Sequence, residues 1–282
     1  MRQIEDAELI KILAAKPKKQ FIDTYNDVKN YERPENMITG VCGYVGDTGE
    51  LIVHIKYQLC LDHHRFFIVD PQRKAMDFLK SLTDEIAECR DGFRIFCEDK
   101  SYFEDPQFTA LYGEHDIEHS VLYGMFEKKP YKRANEDLVI RRLTEDDEEI
   151  INDFEKVEDK YTMNLRTMYR LYLKTGNPNH AVYGGFLDGQ LVSFLYANTY
   201  DGNYWNIGYI FTLESFRGRG IAADLANYYG VCVTDSGAFA SYGNAVNESS
   251  VRTALKAGFE KFDEWNYVII KDEGDNKEGE KQ

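Results

Sequence analysis

The sequence predicts an α/β protein made of two domains, on three observations. Its 282 residues exceed the common domain size of about 100–150, so two domains of roughly 140 residues each are expected. Hydrophobic residues make up 43% and aromatics 14%, enough for each half to bury a core of its own. Apolar runs alternate between period two and helical spacing, which reads as strands interleaved with helices.

In chain order, Ile4 to Ala15 reads as a helix with Ile4, Ala7, Leu9, Ile12 and Leu13 on one stripe. A short helix is placed within Phe21 to Asn36. Val41 to Val45 and Leu51 to Leu59 form a hairpin around Gly46-Asp47-Thr48-Gly49. Phe66 to Val69 is a strand, Gln72 to Glu88 a helix opened by Pro71, and Phe93 to Cys97 another strand. Gln107 to Tyr112 is a short helix and Ile117 to Phe126 an apolar strand. The charged stretch Glu127 to Asp137 reads as a linker, with the domain boundary at Pro130 to Glu136. The expected domains are therefore 1–130 and 137–271, followed by a disordered tail at 272–282.

The second half restarts with the strand Leu138 to Leu143 and a helix from Glu145 to Phe154 capped by Thr144, acidic in its first turn as the helix dipole favours. A helix at Asn164 to Lys174 follows. Asp188-Gly189 then joins the hairpin strands Ala181 to Leu187 and Gln190 to Ala197. The strand Tyr204 to Thr212 leads to a helix at Ala222 to Tyr229, a strand at Ala238 to Tyr242, a helix at Asn247 to Ala257 and a last strand at Glu260 to Ile270.

Asp and Glu number 49 against 34 Lys and Arg, a net charge of −15, which disfavours nonspecific nucleic-acid binding. Without a long apolar run or a signal-peptide core, the chain is expected to be cytoplasmic with no membrane partner. Cys42, Cys60, Cys89, Cys97 and Cys232 contain no Cys-x-x-Cys pair and read as reduced thiols. His63 and His64 lack a set of further ligands, so no metal is expected.

Against that acidic background stands Tyr209 to Ala222, a strand joined to a helix through Arg217-Gly218-Arg219-Gly220. Gly218 and Gly220 let the backbone bend and let another molecule approach its amides. The amides from Arg217 to Ala222 are the unpaired donors of a helix start, which suits a pyrophosphate. The turn is neither a Walker loop nor a Gly-x-Gly-x-x-Gly fingerprint. On its own it also fits an ordinary strand-to-helix turn with solvated arginines.

A second motif lies downstream: Asn247-Glu248-Ser249-Ser250, then Ala257-Gly258-Phe259-Glu260. Together the two motifs resemble those of the GNAT superfamily of acyl-CoA N-acyltransferases, over Asp137 to Lys271. The resemblance implies a mixed, mostly antiparallel central sheet flanked by helices, and an acetyl-CoA site. It places the pantetheine arm on backbone groups of Ile210, Phe211 and Thr212, and the pyrophosphate on Arg217, Gly218, Arg219, Gly220, Ile221 and Ala222. The resemblance also puts Asn247 and Ser250 on the far side of the thioester channel. It further implies direct transfer of an acetyl group to a primary amine of a small molecule or peptide.

Two positions depart from the family pattern. A tyrosine that serves many members as general acid is replaced by Ala254, and a glutamate base carried by some corresponds to Asn206. Tyr242 and Glu214 are the substitutes offered as catalytic residues, each with an alternative as a plain strand tyrosine or solvated acid. Trp205 and Phe211 read as core. A noncatalytic acyl-CoA-binding or interaction protein is the competing function, and a homo-oligomer stays open.

The first half repeats the spacing of the second from Phe66 to Phe126, but its turn is Asp70-Pro71-Gln72-Arg73, without glycine and with a proline that has no amide to donate. This suggests two GNAT-like domains in tandem, the first without a phosphate grip. An unrelated α/β domain is the alternative.

Overall fold

A computed structural model describes residues 1–15, 22–30, 38–57, 64–87, 92–157, 163–199, 202–245 and 247–270. Cys60, Cys89, His63 and the expected tail at 272–282 lie outside them. The chain forms two compact units, one of Met1–Ser120 with the segment from Asp263 onward, the other of Val121–Phe262.

In the first unit the strands are β1 (Arg2–Ile4), β2 (Ile38–Val45), β3 (Leu51–Tyr57), β4 (His64–Val69) and β5 (Phe93–Cys97), with helices α1 (Asp6–Ala15), α2 (Ile22–Asn30), α3 (Met76–Ala87) and α4 (Pro106–Tyr112). Neighbours from β1 to β4 pair antiparallel, and β4 pairs parallel to β5. The second unit contains β6 (Glu118–Met125, from Val121), β7 (Val139–Arg142), α5 (Glu148–Val157), α6 (Met163–Met168), β8 (His180–Leu187) and β9 (Gln190–Thr199). It continues through β10 (Tyr204–Thr212), α7 (Ile221–Asp235), β11 (Phe239–Asn244) and α8 (Glu248–Lys256). There β7 to β10 pair antiparallel in turn, and β10 pairs parallel to β11. The two units thus repeat one topology, a tandem arrangement.

The sixth strand of each unit departs from the expected boundaries. Residues Leu122 to Met125 of β6 pair with β11, and Asn266 to Ile270 of the last strand, β12 (Glu260–Ile270), pair with β5. The units therefore divide after Ser120 and after Phe262, not at Pro130 to Glu136 and near 271. Both strands are apolar enough to pair with either edge, and sequence order does not choose between them.

Several elements also differ locally. The chain opens with the short strand β1 before α1, which begins at Asp6 rather than Ile4. Helix α3 begins at Met76, not Gln72, because the Asp70 carboxylate accepts from the amides of Lys74 at 2.9 Å and Ala75 at 2.8 Å, drawing 71–75 into a turn. Helix α7 runs to Asp235, well past Tyr229. The acidic start after Thr144 is a tight turn, Glu145–Asp147, before α5.

Alternation along the second unit's central strands splits its core in two. Leu195, Ala197 and Ile207 face α7 and α8, where Tyr229 is fully buried and donates to the Trp205 carbonyl at 2.8 Å. Phe194 and Phe211 face the other way, onto Phe154, Leu165 and Tyr169 of the α5–α6 region. Phe211 is 8% exposed, as expected of core, whereas Trp205 is half-buried at the margin.

Candidate functional site

Strand β10 is paired along one edge and open along most of the other. It registers with β9 from Trp205 to Thr212, with a shift between Ile207 and Tyr209 that leaves Gly208 as a bulge. With β11 it registers only at Tyr204, Trp205 and Asn206. Beyond Asn206 the two strands part, so the β11-facing edge from Ile210 to Thr212 has no strand partner among the described residues. The Phe211 carbonyl accepts from Ser193 Oγ at 2.6 Å and that of Thr212 from Arg217 Nε at 3.0 Å.

The loop that follows has the backbone its glycines require. Gly218 has φ of 76° and Gly220 a φ of 83°, both in the left-handed region that L side chains seldom adopt. Gly220 is the N-cap of α7 and offers no side-chain cap. The helix's own ladder begins with Asp224 N donating to Gly220 O at 3.0 Å. The amides of Ile221, Ala222 and Ala223 therefore have no acceptor within the helix, and they stand at its positive end. In the first unit the Asp70 carboxylate covers the amides ahead of α3. Arg73 there is held by an ion pair with Asp105 and donates to Ser101 Oγ at 2.7 Å.

The facing wall comes from β11 and α8. Asn247 caps α8, its side chain accepting from the Ser250 amide at 2.9 Å. Ser250 Oγ donates to the Tyr242 hydroxyl at 3.4 Å. Tyr242 is 5% exposed, and burial pushes its pKa above the ordinary phenol value. Between the walls lies a cleft of about 610 Å³. Every residue the sequence singled out for cofactor binding or catalysis lines it, except Arg219 and Glu214. Arg219 donates to the Ser215 carbonyl at 3.1 Å and lies over the Phe216 ring. Glu214 is exposed, in the turn Glu214–Phe216. Ala254, where a family tyrosine is absent, is fully buried in the core.

Several residues of the site had not been singled out. Asp224, 1% exposed, accepts from Tyr131 Oη at 2.6 Å, the Ala134 amide at 2.9 Å, the Asn135 amide at 3.0 Å and Asn135 Nδ2 at 2.8 Å. Asn135 Nδ2 also donates to the Arg219 carbonyl at 3.0 Å. The expected linker is thus packed beneath the loop. Arg252 and Lys256 line the cleft from α8 with Ser249 and Thr253, a spacing that puts all four on one helix face and was legible as such. Outside the cleft lining, Asn206, already named as the position of a family glutamate, belongs to a row of polar residues with His180, Asn198 and Ser241, standing opposite one another across β8, β9, β10 and β11. Alternation turns this row away from α7. Asn206 Oδ1 is buried there without a hydrogen-bond partner among the described residues. Beside it the His180 ring stacks on Tyr172 at 3.7 Å and its Nδ1 lies 2.7 Å from Tyr196 Oη.

Among the described residues no cluster of side chains fit to hold a metal is found, and no helix is long and apolar enough to cross a membrane.

Residues 141–259 match the family model described as acetyltransferase (GNAT) family. No curated protein matches the chain. Among solved structures, a GCN5-related N-acetyltransferase from Sphaerobacter thermophilus superposes with a TM-score of 0.61 at 14% identity, over 96% of this chain and 95% of that one. A GCN5-related N-acetyltransferase-like protein from Streptococcus suis gives 0.53 at 16% identity, over 94% and 100%. A tandem GNAT protein from the clavulanic acid biosynthesis pathway gives 0.53 at 15%, over 94% of each chain. At these identities the likeness is one of fold.

Proposed function

We propose that this protein, whose residues 141–259 match the family model described as acetyltransferase (GNAT) family, is an acetyl-CoA-dependent N-acetyltransferase acting on a primary amine of a small molecule or peptide. The observation that carries this reading is the cleft itself: strands that part after Asn206, leading to a helix start with uncapped amides and glycine-lined access. The residues fit the donor. A Cβ on Gly218 would meet nothing within 4 Å, so the loop is open to a ligand on that side.

Acetyl-CoA supplies an acetyl group activated as a thioester. The amides of Ile221 to Ala223, with Arg217, hold the anionic end through charge-assisted hydrogen bonds. The open edge of β10 from Ile210 to Thr212 orients the extended arm as an added strand would. Tyr242 is the proton donor for the departing thiolate. Burial keeps its hydroxyl protonated well above neutral pH, and because it accepts a hydrogen bond from Ser250 its own O–H is free to donate. The amine enters as the free base, and as its nitrogen bonds to the acetyl carbon and the C–S bond breaks, the proton it sheds passes to water. Glu214 has no part in this assignment.

Thiol release across a panel of primary amines, with acetyl-CoA and CoA affinities from calorimetry, tests the reading. Saturable acetyl-CoA binding with amine-dependent thiol release is expected. Binding without turnover would favour a noncatalytic acyl-CoA-binding protein, a reading to which the absence of a family-type tyrosine at Ala254 and glutamate at Asn206 contributes. In Tyr242→Phe, kcat should fall about 100-fold with KM for acetyl-CoA little changed, general acid catalysis contributing about 10²–10⁴-fold. The raised pKa puts the wild-type loss of activity on the alkaline side, as the phenol gives up its proton, and that limb should vanish in the variant. A kcat within twofold of wild type removes Tyr242 as the acid.

A further inference from the structure

We propose that Lys256, with Arg252 one turn before it on α8, holds the 3′-phosphate of coenzyme A, so that the cleft selects coenzyme A over its 3′-dephospho form. The inference rests on the acyl-CoA reading above and adds which part of the donor the α8 wall recognises.

Charge is the first ground. The chain carries 49 acidic residues against 34 basic ones, yet the cleft is lined by Arg217, Arg252 and Lys256 and by no carboxylate side chain among the described residues. The loop already answers a diphosphate: three uncapped amides stand at the positive end of α7, and Arg217 is beside them, its Nε anchored on the Thr212 carbonyl at 3.0 Å. A diphosphate diester carries about two negative charges, and a phosphate monoester adds about 1.5 to 2 more at neutral pH. Two further cations on a separate wall exceed what the first group needs and match the second.

Position is the other ground. Lys256 Nζ comes 2.8 Å from where a Cβ on Gly220 would sit, so the ammonium stands at the rim of the phosphate loop. It has no ion-pair partner among the described residues. Arg252 precedes it by four residues on the same helix face, where side chains lie about 5–6 Å apart, the spacing to grip one phosphate between them. The existing Arg252–Glu248 pair, at 2.9 Å, has its two side chains 69% and 89% exposed. Such a pair is held weakly and gives way to a dianion at little cost. Asn247, Ser250 and Tyr242 lie at the other end of this wall, toward the start of α8, which leaves the Lys256 end for the nucleotide.

Calorimetric titration of the full chain with coenzyme A and with 3′-dephospho-coenzyme A decides it, on wild type, Lys256→Gln and the double variant Lys256→Gln/Arg252→Gln. Both side chains are exposed, so folding is expected to survive, and a thermal melt checks it. Wild type should bind coenzyme A at least 10-fold more tightly than the dephospho form. Lys256→Gln should lower that ratio several-fold by weakening coenzyme A alone, and the double variant should bring it near one. Equal weakening of both ligands would place Lys256 on the diphosphate and overturn the assignment, as would a ratio that the variants leave unchanged. If wild type binds neither ligand, the donor reading itself fails; if it binds both equally, only the 3′-phosphate assignment does.

Discussion

Gly218→Asp is expected to remove measurable acetyl-CoA binding while the protein stays folded. With φ at 76° and nothing within 4 Å of a Cβ, position 218 accepts an Asp better than most residues, because Asp tolerates the left-handed region. The new carboxylate would lie in the cleft beside the diphosphate. At a separation of about 5 Å and an effective dielectric near 20, repulsion is about 3 kcal/mol for each phosphate charge, on the order of 100-fold in affinity or more. Gly218→Asn, of similar shape without the charge, should keep most of the binding. Position 220 gives a poorer test. A Cβ there would lie 2.7 Å from the Cβ of Ala134, so any side chain displaces the segment beneath the loop and mixes folding with binding. Undiminished affinity in Gly218→Asp, by calorimetry, would falsify the assigned donor site.

Asp224→Ala should produce the largest loss of stability of any single change in the site. The buried carboxylate accepts four hydrogen bonds from Tyr131, Ala134 and Asn135, and its removal strands all four donors. Breaking a buried charged network of this kind costs about 3–5 kcal/mol. For a protein of this size the melting temperature should fall by about 10 °C. Asp224→Asn retains one acceptor oxygen and should fall between. Because Asn135 also holds the Arg219 carbonyl at 3.0 Å, acetyl-CoA affinity should weaken in the folded variants as the loop loses its support. A melting temperature within 2 °C of wild type in Asp224→Ala would show that the segment 131–135 is not anchored this way.

Both expectations concern one loop, and its two halves were unequally legible. Gly218 and Gly220 announce their conformation in the sequence, since a left-handed backbone with access to its amides is a local demand that glycine meets. Asp224 looks like an ordinary first-turn acid suited to the helix dipole. Its donors come from a stretch that reads as a linker, some 90 residues earlier in the chain, and no periodicity connects the two. Tyr242 and Ser250 were separately visible, on a strand and at a capped helix start; their hydrogen bond depends on how α8 docks against β11. Arg219 and Glu214 show the limit from the other side. Being near the motif in sequence, they read as site residues, yet one is turned onto Phe216 and a backbone carbonyl, and the other points to solvent.

Apart from the opening strand β1, the order and kind of the main elements, the turn that opens α7 and the asymmetry between the two halves were legible in the sequence. These rest on local physics: side-chain period, capping and the dihedral freedom of particular residues. At Asp70-Pro71-Gln72-Arg73 the lack of glycine and the presence of a proline mark the difference from the glycine loop within a few residues. Tertiary structure decided which strand edges meet. Residues Leu122 to Met125 pair with β11, and Asn266 to Ile270 pair with β5. It also decided where β10 and β11 part and which cations line the cleft between them. Strand edges offer the same backbone donors and acceptors wherever they occur, so the choice of partner is made by the packing of side chains from distant parts of the chain.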